Sequence, residues 1–288
     1  MISPGALLGP RSAVVFLFHG VLREPRHTGV RNYTGKHLPL PAFEAFLDEL
    51  AETGTPLSIA EVVDGAAGVT ELPERGFAVT FDDGFANNIQ VAAPALEQRG
   101  IPAAFYVTTD FVDRQACSWI DLIEYAVDLA APGSREEKIA ALDTIRARGK
   151  SDPELDPYAL ADEVWGQLGV QELVPDHELD RKLTWDEVRE LAAHPLFTVG
   201  GHGATHRILS HVPPRELERE VDSALDRIEA ETGEPVLHFS YPEGGPTTYS
   251  DAVVDRLRRR GVASAVAVAP GAVRAGDDLF ALKRTLVA

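Results

Sequence analysis

The chain has 288 residues, 44% hydrophobic and 25% charged, with a net charge of −18 and a pI near 4.9. This is a globular composition with enough apolar residues for one large core or two small ones, and its acidity argues against nucleic acid or an anionic membrane surface as partner. A lone cysteine, Cys117, excludes an intramolecular disulfide framework and a cysteine-rich zinc site.

The first apolar run, AVVFLF at 13–18, is too short to span a membrane and lacks the flanks of an export signal. It reads as a buried strand, and the chain as soluble and cytoplasmic, with no membrane insertion. Phe43, Phe46, Leu47, Leu50 and Ala51 then recur at helical spacing. FAVTF at 77–81 and AAFYVT at 103–108 are strand candidates, separated by a helix, NNIQVAAPALEQRG, that ends in glycine. Residues 113–182 break the rhythm. They are charged and helical with no clear strand, and predict an insertion, a lid, within a single domain spanning 1–288. TWDEVRELAAH opens on Thr184 with Glu187 three residues on, a capping box. Strand candidates FTVG at 197–200, VLHFSY at 236–241, VASAVAV at 262–268 and LKRTLV at 282–287 complete a set of seven. The segments PPRELEREVDSALDRIEAETG and YSDAVVDRLRRRG between them have helix starts at Pro and Ser and stops at Gly. Alternating strands and helices predict an α/β protein with a parallel sheet, open or closed into a barrel, and chemistry at the carboxyl ends of its strands.

Four motifs fall at such ends. TFDDG at 80–84 puts Asp82 and Asp83 side by side, which alone is an ordinary Asp-Gly turn. VGGHGATH at 199–206 places His202 and His206 four apart in a glycine-rich loop. Two imidazoles and a carboxylate make a three-point metal grip. HFSYPEGGP at 238–246 is a turn whose backbone N–H can face a developing oxyanion. FLFHG at 16–20 brings His19 to the same face.

TFDDG, then HxxxH, then a Tyr-Pro-x-Gly turn, in this order on successive strand ends, resembles the polysaccharide deacetylase family, the NodB-homology group of carbohydrate esterase family 4. The resemblance covers most of the chain and implies a distorted (β/α)7 barrel. It implies that Asp82 is the general base and that Asp83, His202 and His206 hold a divalent ion, most often zinc, with cobalt or another ion in some members. A metal in that place lowers the pKa of water and polarises an amide carbonyl. Asp82 would take the proton as water attacks, with the oxyanion held by the metal and a backbone N–H among Tyr241, Pro242, Glu243 and Gly244. The family draws its general acid from an L-x-H motif late in the chain. Here the late motif is LKR, and LFH at 17–19 carries the pattern on the first strand, as in circularly permuted members, so His19 is the expected acid.

The chain departs from the family in three places. Gly203 stands where Ser or Thr is usual, which puts the rigidity of the histidine loop in question. Ser240 stands where many members carry an arginine that orients the base, and Arg284 could supply that guanidinium from the last strand. Glu243 replaces an aromatic and reads as a solvated side chain in a turn. The expected substrate is an N-acylated amino sugar, a glycan or a small amide, losing an N-acyl group, most simply acetyl. Few aromatics, 7%, and a lid favour a small molecule over a polymer. Two rivals share the scaffold: a hydrolase of formamides, ureides or imides, and a metal-binding pseudoenzyme that binds carbohydrate, against which the intact Asp82 argues. The facial triad of a non-haem iron oxygenase is disfavoured by the ligand order and by the strand–helix alternation. Oligomeric state leaves no mark in the sequence.

Overall fold

The computed structural model describes residues 3–24 and 29–288. A short turn, Pro4–Leu7, precedes β1 (Ala13–Phe18), every residue of which is buried. Such an unbroken apolar run is what a strand covered on both faces requires. β2 (Gly20–Leu22) and β3 (His37–Pro39) pair in parallel as a small ribbon apart from the main sheet. Helix α1 (Leu40–Thr53) buries Phe43, Phe46, Leu47 and Leu50, whereas Ala51 is exposed. There follow β4 (Thr55–Pro56), α2 (Ile59–Ala66) and β5 (Gly76–Phe81). A π-helical turn, Asn88–Ala92, runs into α3 (Ala93–Glu97), and Gly100 at φ 61° turns the chain towards β6 (Ala103–Val107).

Four helices come next: α4 (Thr109–Arg114), α5 (Trp119–Ala130), α6 (Arg135–Ser151) and α7 (Pro157–Leu168). Helices α5 to α7 share a small core of their own around Trp119, Ile123, Leu142 and Leu160. Trp119 is therefore an anchor of this helical segment rather than a cleft residue. Gly149 is needed there, because a Cβ would lie 2.8 Å from the Trp119 ring.

The chain returns to the sheet through α8 (Trp185–Ala193), capped by Thr184 and Glu187, and β7 (Phe197–Gly201). A second π-helical turn, Glu218–Ser223, leads into α9 (Ala224–Thr232), which stops at Gly233. β8 (His238–Ser240), α10 (Asp251–Arg259), β9 (Ser264–Val266), β10 (Ala272–Val273) and β11 (Thr285–Leu286) complete the fold. The last strands are shorter than 236–241, 262–268 and 282–287. Pro242 has no N–H for a ladder, and the Val268 N–H bonds the carbonyl of Gly244 in the adjoining turn instead.

β1, β5, β6, β7, β8 and β9 lie side by side in parallel. β11 pairs in parallel with the other edge of β1, and Leu282 bridges Val266 of β9. Residues 282–286 thus span the gap between the first and last strands. The result is a curled, mostly parallel sheet with helices outside, the distorted (β/α)7 barrel that the resemblance implied. Phe81 stacks on Phe105 and Phe18 and packs the strand ends just beneath Asp82. Among the described residues, no helix is long and apolar enough to cross a membrane.

Candidate active site

β5 ends at Phe81, and the two aspartates follow at the carboxyl end of the sheet. Asp83 and Gly84 have φ of 74° and 80°. The left-handed region is unusual for a residue with a Cβ, though Asp tolerates it better than most. This bend gives the two adjacent carboxylates different partners.

Asp82 accepts hydrogen bonds from Arg284 Nη1 and Nη2, both at 2.8 Å, and from Ser240 Oγ at 3.0 Å. Arg284 is itself fully buried and also donates to Ser240 Oγ at 2.7 Å. Burial alone would push the Asp82 carboxyl up, but the Arg284 guanidinium outweighs it and holds the group below the usual carboxylate range. The guanidinium of Arg284, just before β11, therefore does reach Asp82, and the Ser240 hydroxyl joins it.

Asp83 divides its two oxygens. Oδ2 lies 2.9 Å from Lys36 Nζ. Oδ1 is buried without a hydrogen-bond donor, 3.4 Å from His202 Nε2 and 3.2 Å from His206 Nε2. His202 Nδ1 donates to the carbonyl of Ser240 at 2.8 Å, which fixes the tautomer and leaves Nε2 as a bare lone pair. The three ligand atoms lie within 4.8 Å of one another. An orphaned carboxylate oxygen facing two imidazole nitrogens is a donor set that a divalent cation satisfies. These residues fit a metal.

The histidine loop is braced by groups that no motif marks. Gly203 has φ 78°, where any side chain would be strained, so the usual Ser or Thr does not suit this backbone. In place of that hydroxyl, buried Glu220 accepts from Thr205 N at 3.0 Å and Thr205 Oγ1 at 2.8 Å, and its own carbonyl accepts from Ala204 N. Tyr158 Oη of α7 donates to the Thr205 carbonyl at 2.7 Å. Lys36 also binds Asp121 Oδ1 at 3.1 Å, and fully buried Lys182 Nζ lies 3.8 Å from Asp121 Oδ2 and 3.4 Å above the Phe85 ring. Asp121 is the third residue of α5, and its backbone N–H donates to the capping Ser118 Oγ. Lys36, Asp121, Glu220 and Tyr158 were not recognisable because their partners lie far away in sequence.

A cavity of about 340 Å³ opens onto this cluster. It is lined by His19, Asp82, Asp83, His202, His206 and Glu243, with Arg146 and Lys150 of α6 also on its wall. His19 Nδ1 is buried without a partner, and burial pushes its pKa down to about 4. Glu243 is not the solvated glutamate expected. Its side chain is 11% exposed and pairs with Lys150 at 2.5 Å, tying the turn after β8 to α6. Tyr241, Pro242 and Gly244 do not line the cavity. The Tyr241 N–H bonds Val266 O, and its hydroxyl bonds Phe280 O. Pro242 has no N–H, so the backbone donors of this turn that remain are those of Glu243 and Gly244. A roomier cleft of about 460 Å³ beside Arg207 and His211 holds no ligand cluster, and its Arg207 is paired with Asp156 and Glu216.

The polysaccharide deacetylase family model matches residues 70–265. The chain belongs to the polysaccharide deacetylase family. The match covers Asp82, Asp83, His202 and His206 and stops short of both His19 and Arg284. No curated protein matches the chain. Among solved structures, IcaB from Ammonifex degensii is similar at a TM-score of 0.67 and 20% identity, over 98% of this chain and 94% of that one. The Streptococcus pyogenes deacetylase PplD, in complex with acetate, matches at 0.64 and 15%, over 96% and 93%. A de-N-acetylase from Aggregatibacter actinomycetemcomitans matches at 0.62 and 16%, over 96% and 95%. At these identities the likeness establishes the family's fold.

Proposed function

We propose that the protein is a metal-dependent hydrolase that removes an N-acetyl group from an amino sugar, with Asp82 as general base and His19 as general acid. The observation that carries this reading is the orphaned Asp83 Oδ1 between two imidazole nitrogens, one residue from an arginine-held carboxylate. Zinc suits a donor set of two nitrogens and one carboxylate oxygen, with room left for reactants. Held by Asp83, His202 and His206, it would supply Lewis acidity, making water more acidic and the acyl carbonyl more electrophilic.

The remaining chemistry belongs to the chain. Arg284 and Ser240 keep Asp82 ionised and oriented, so that it accepts the proton of the attacking water. The N–H of Glu243, the residue of this turn that lines the cavity, would meet the acyl oxygen as it gains charge. Burial keeps the His19 imidazole neutral near pH 7. It therefore acts as an acid only after receiving the proton that Asp82 has taken, which it passes to the leaving nitrogen. The helical segment, through α6, closes the cavity over these groups as a lid on a single catalytic domain. PplD, solved in complex with acetate, supports acetyl as the acyl group.

The test compares acetate release from N-acetylated amino sugars, glycans and small amides by zinc-loaded, cobalt-loaded and metal-stripped protein. We expect metal-dependent release that falls by about 10²- to 10⁴-fold in Asp82→Asn while metal stays bound. Stoichiometric metal with no release from any substrate would replace this reading with that of a binding pseudoenzyme.

A further inference from the structure

Each of the three carboxylates lining the cavity is paired with a cation, Lys36 being shared with Asp121, and one lining cation is left over. Asp82 is paired with Arg284, Asp83 with Lys36 and Glu243 with Lys150. Arg146 of α6 lines the same cavity and forms no ion pair among the described residues. Its Nη1 donates to Tyr33 Oη at 2.8 Å, and its guanidinium lies over the Tyr33 ring at 5.6 Å. These two contacts place the guanidinium at the cavity wall, near enough to Glu243 to act on its charge, and among the described residues no hydrogen bond takes up its other N–H donors. A divalent ion at Asp83, His202 and His206 would raise the cavity's positive charge further. The cavity also lacks what a long neutral glycan uses. Among the described residues no Trp, Tyr or Phe lines it, and its volume of about 340 Å³ is at the small end of ligand sites.

We propose that the substrate is a short, anionic N-acyl amino sugar, one carrying a phosphate or a carboxylate, and that Arg146 is the residue that selects it. This rests on the hydrolase reading above. A planar guanidinium with free donors pairs both kinds of oxyanion in a forked geometry, which Lys cannot reproduce. Lys150 beside it, already bound to Glu243, adds to the positive field without being free to move. The selecting residue thus comes from the helical segment, and the reacting residues from the sheet.

The experiment measures kcat/KM on zinc-loaded protein for N-acetylglucosamine, its 6-phosphate, N-acetylmuramic acid and chitotetraose. The same sugars are titrated calorimetrically against the wild type, Arg146→Gln and Arg146→Lys, with thermal melts to verify folding. We expect at least one anionic sugar to be preferred over N-acetylglucosamine, and the preference to fall by about 10-fold or more in Arg146→Gln, as losing a charge-assisted hydrogen bond predicts. Arg146→Lys should retain part of it. The phosphate and carboxylate arms identify which anion is used. Equal or better turnover of the neutral sugar or chitotetraose, or a preference that survives Arg146→Gln, overturns the proposal. If nothing is hydrolysed but an anionic sugar binds the wild type more tightly than Arg146→Gln, the anion assignment stands and the hydrolase reading falls. If no sugar is hydrolysed and none shows an Arg146-dependent preference in binding, the anion assignment falls as well.

Discussion

Asp83 shows how one residue can be set by its neighbours in space. Its left-handed φ aims the carboxylate, Lys36 occupies Oδ2, and only Oδ1 is left for the histidine side. Burial alone would raise its pKa, yet Lys36 and His206 hold it well below the usual range. Lys36→Met removes the group that fixes which oxygen faces the metal site. We expect zinc affinity to fall by about 10- to 100-fold, the usual effect of losing a partner of a metal ligand. Competition titration with a chromophoric chelator reads this without reference to activity. Unchanged affinity would reduce Lys36 to a structural ion pair. The aspartates and histidines were legible because each pair falls within a few residues at a strand end. Lys36 was not, since a lysine in a connection between short strands carries no local pattern.

At the scale of elements, the helical segment is joined to the site by Asp121 of α5, by Lys150 of α6 and by Tyr158 of α7. Its helices could be read from composition, but not the points at which they touch the sheet, because each contact pairs residues from separate elements. Glu124, on the same face of α5 as Asp121, is exposed by only 12% on its side chain. Burial, then the Asp121 charge, pushes its pKa up to about 7. An acid whose folded pKa is raised favours folding least where the unfolded chain is ionised and the folded protein resists ionisation. Stability should therefore decline as pH rises from about 4.5 to about 7 and level off above. Glu124→Gln removes that decline. Relative to the wild type, it should gain on the order of 3 kcal/mol between about pH 4 and about pH 8. Urea unfolding at both pH values measures it, and a constant difference between the two proteins would show that Glu124 does not titrate abnormally.

The whole molecule closes through residues 282–286, between β9 and β1. Parallel alternation was legible from strand and helix patterns, and so was the carboxyl-end location of the motifs. The small ribbon of β2 and β3 was not, nor was β10, since strands of two or three residues have too few positions to show a period. Closure itself was legible only through the resemblance. It brings Arg284 to Asp82, so that carboxylate and the seam of the barrel depend on one another. In Arg284→Met, Asp82 is left buried with Ser240 as its partner, and we expect a loss of about 3–5 kcal/mol. Adding Asp82→Asn removes the stranded charge and should restore most of that stability while activity stays absent. Chemical denaturation of the two single variants and the double variant gives the coupling, and strict additivity would show that the pair is not coupled.

The same contact orders events in time. The metal ligands span residues 83–206, whereas Asp82 must wait for a partner 202 positions further along. A ribosome delivers a chain from its amino end, so the ligands can gather while Arg284 is still untranslated. Until residues 284–286 dock, Asp82 lacks its guanidinium, whatever Asp83, His202 and His206 have already formed. On the proposed reading, hydrolytic competence would be acquired last, and a polypeptide released before residue 284 would lack the guanidinium that orients Asp82.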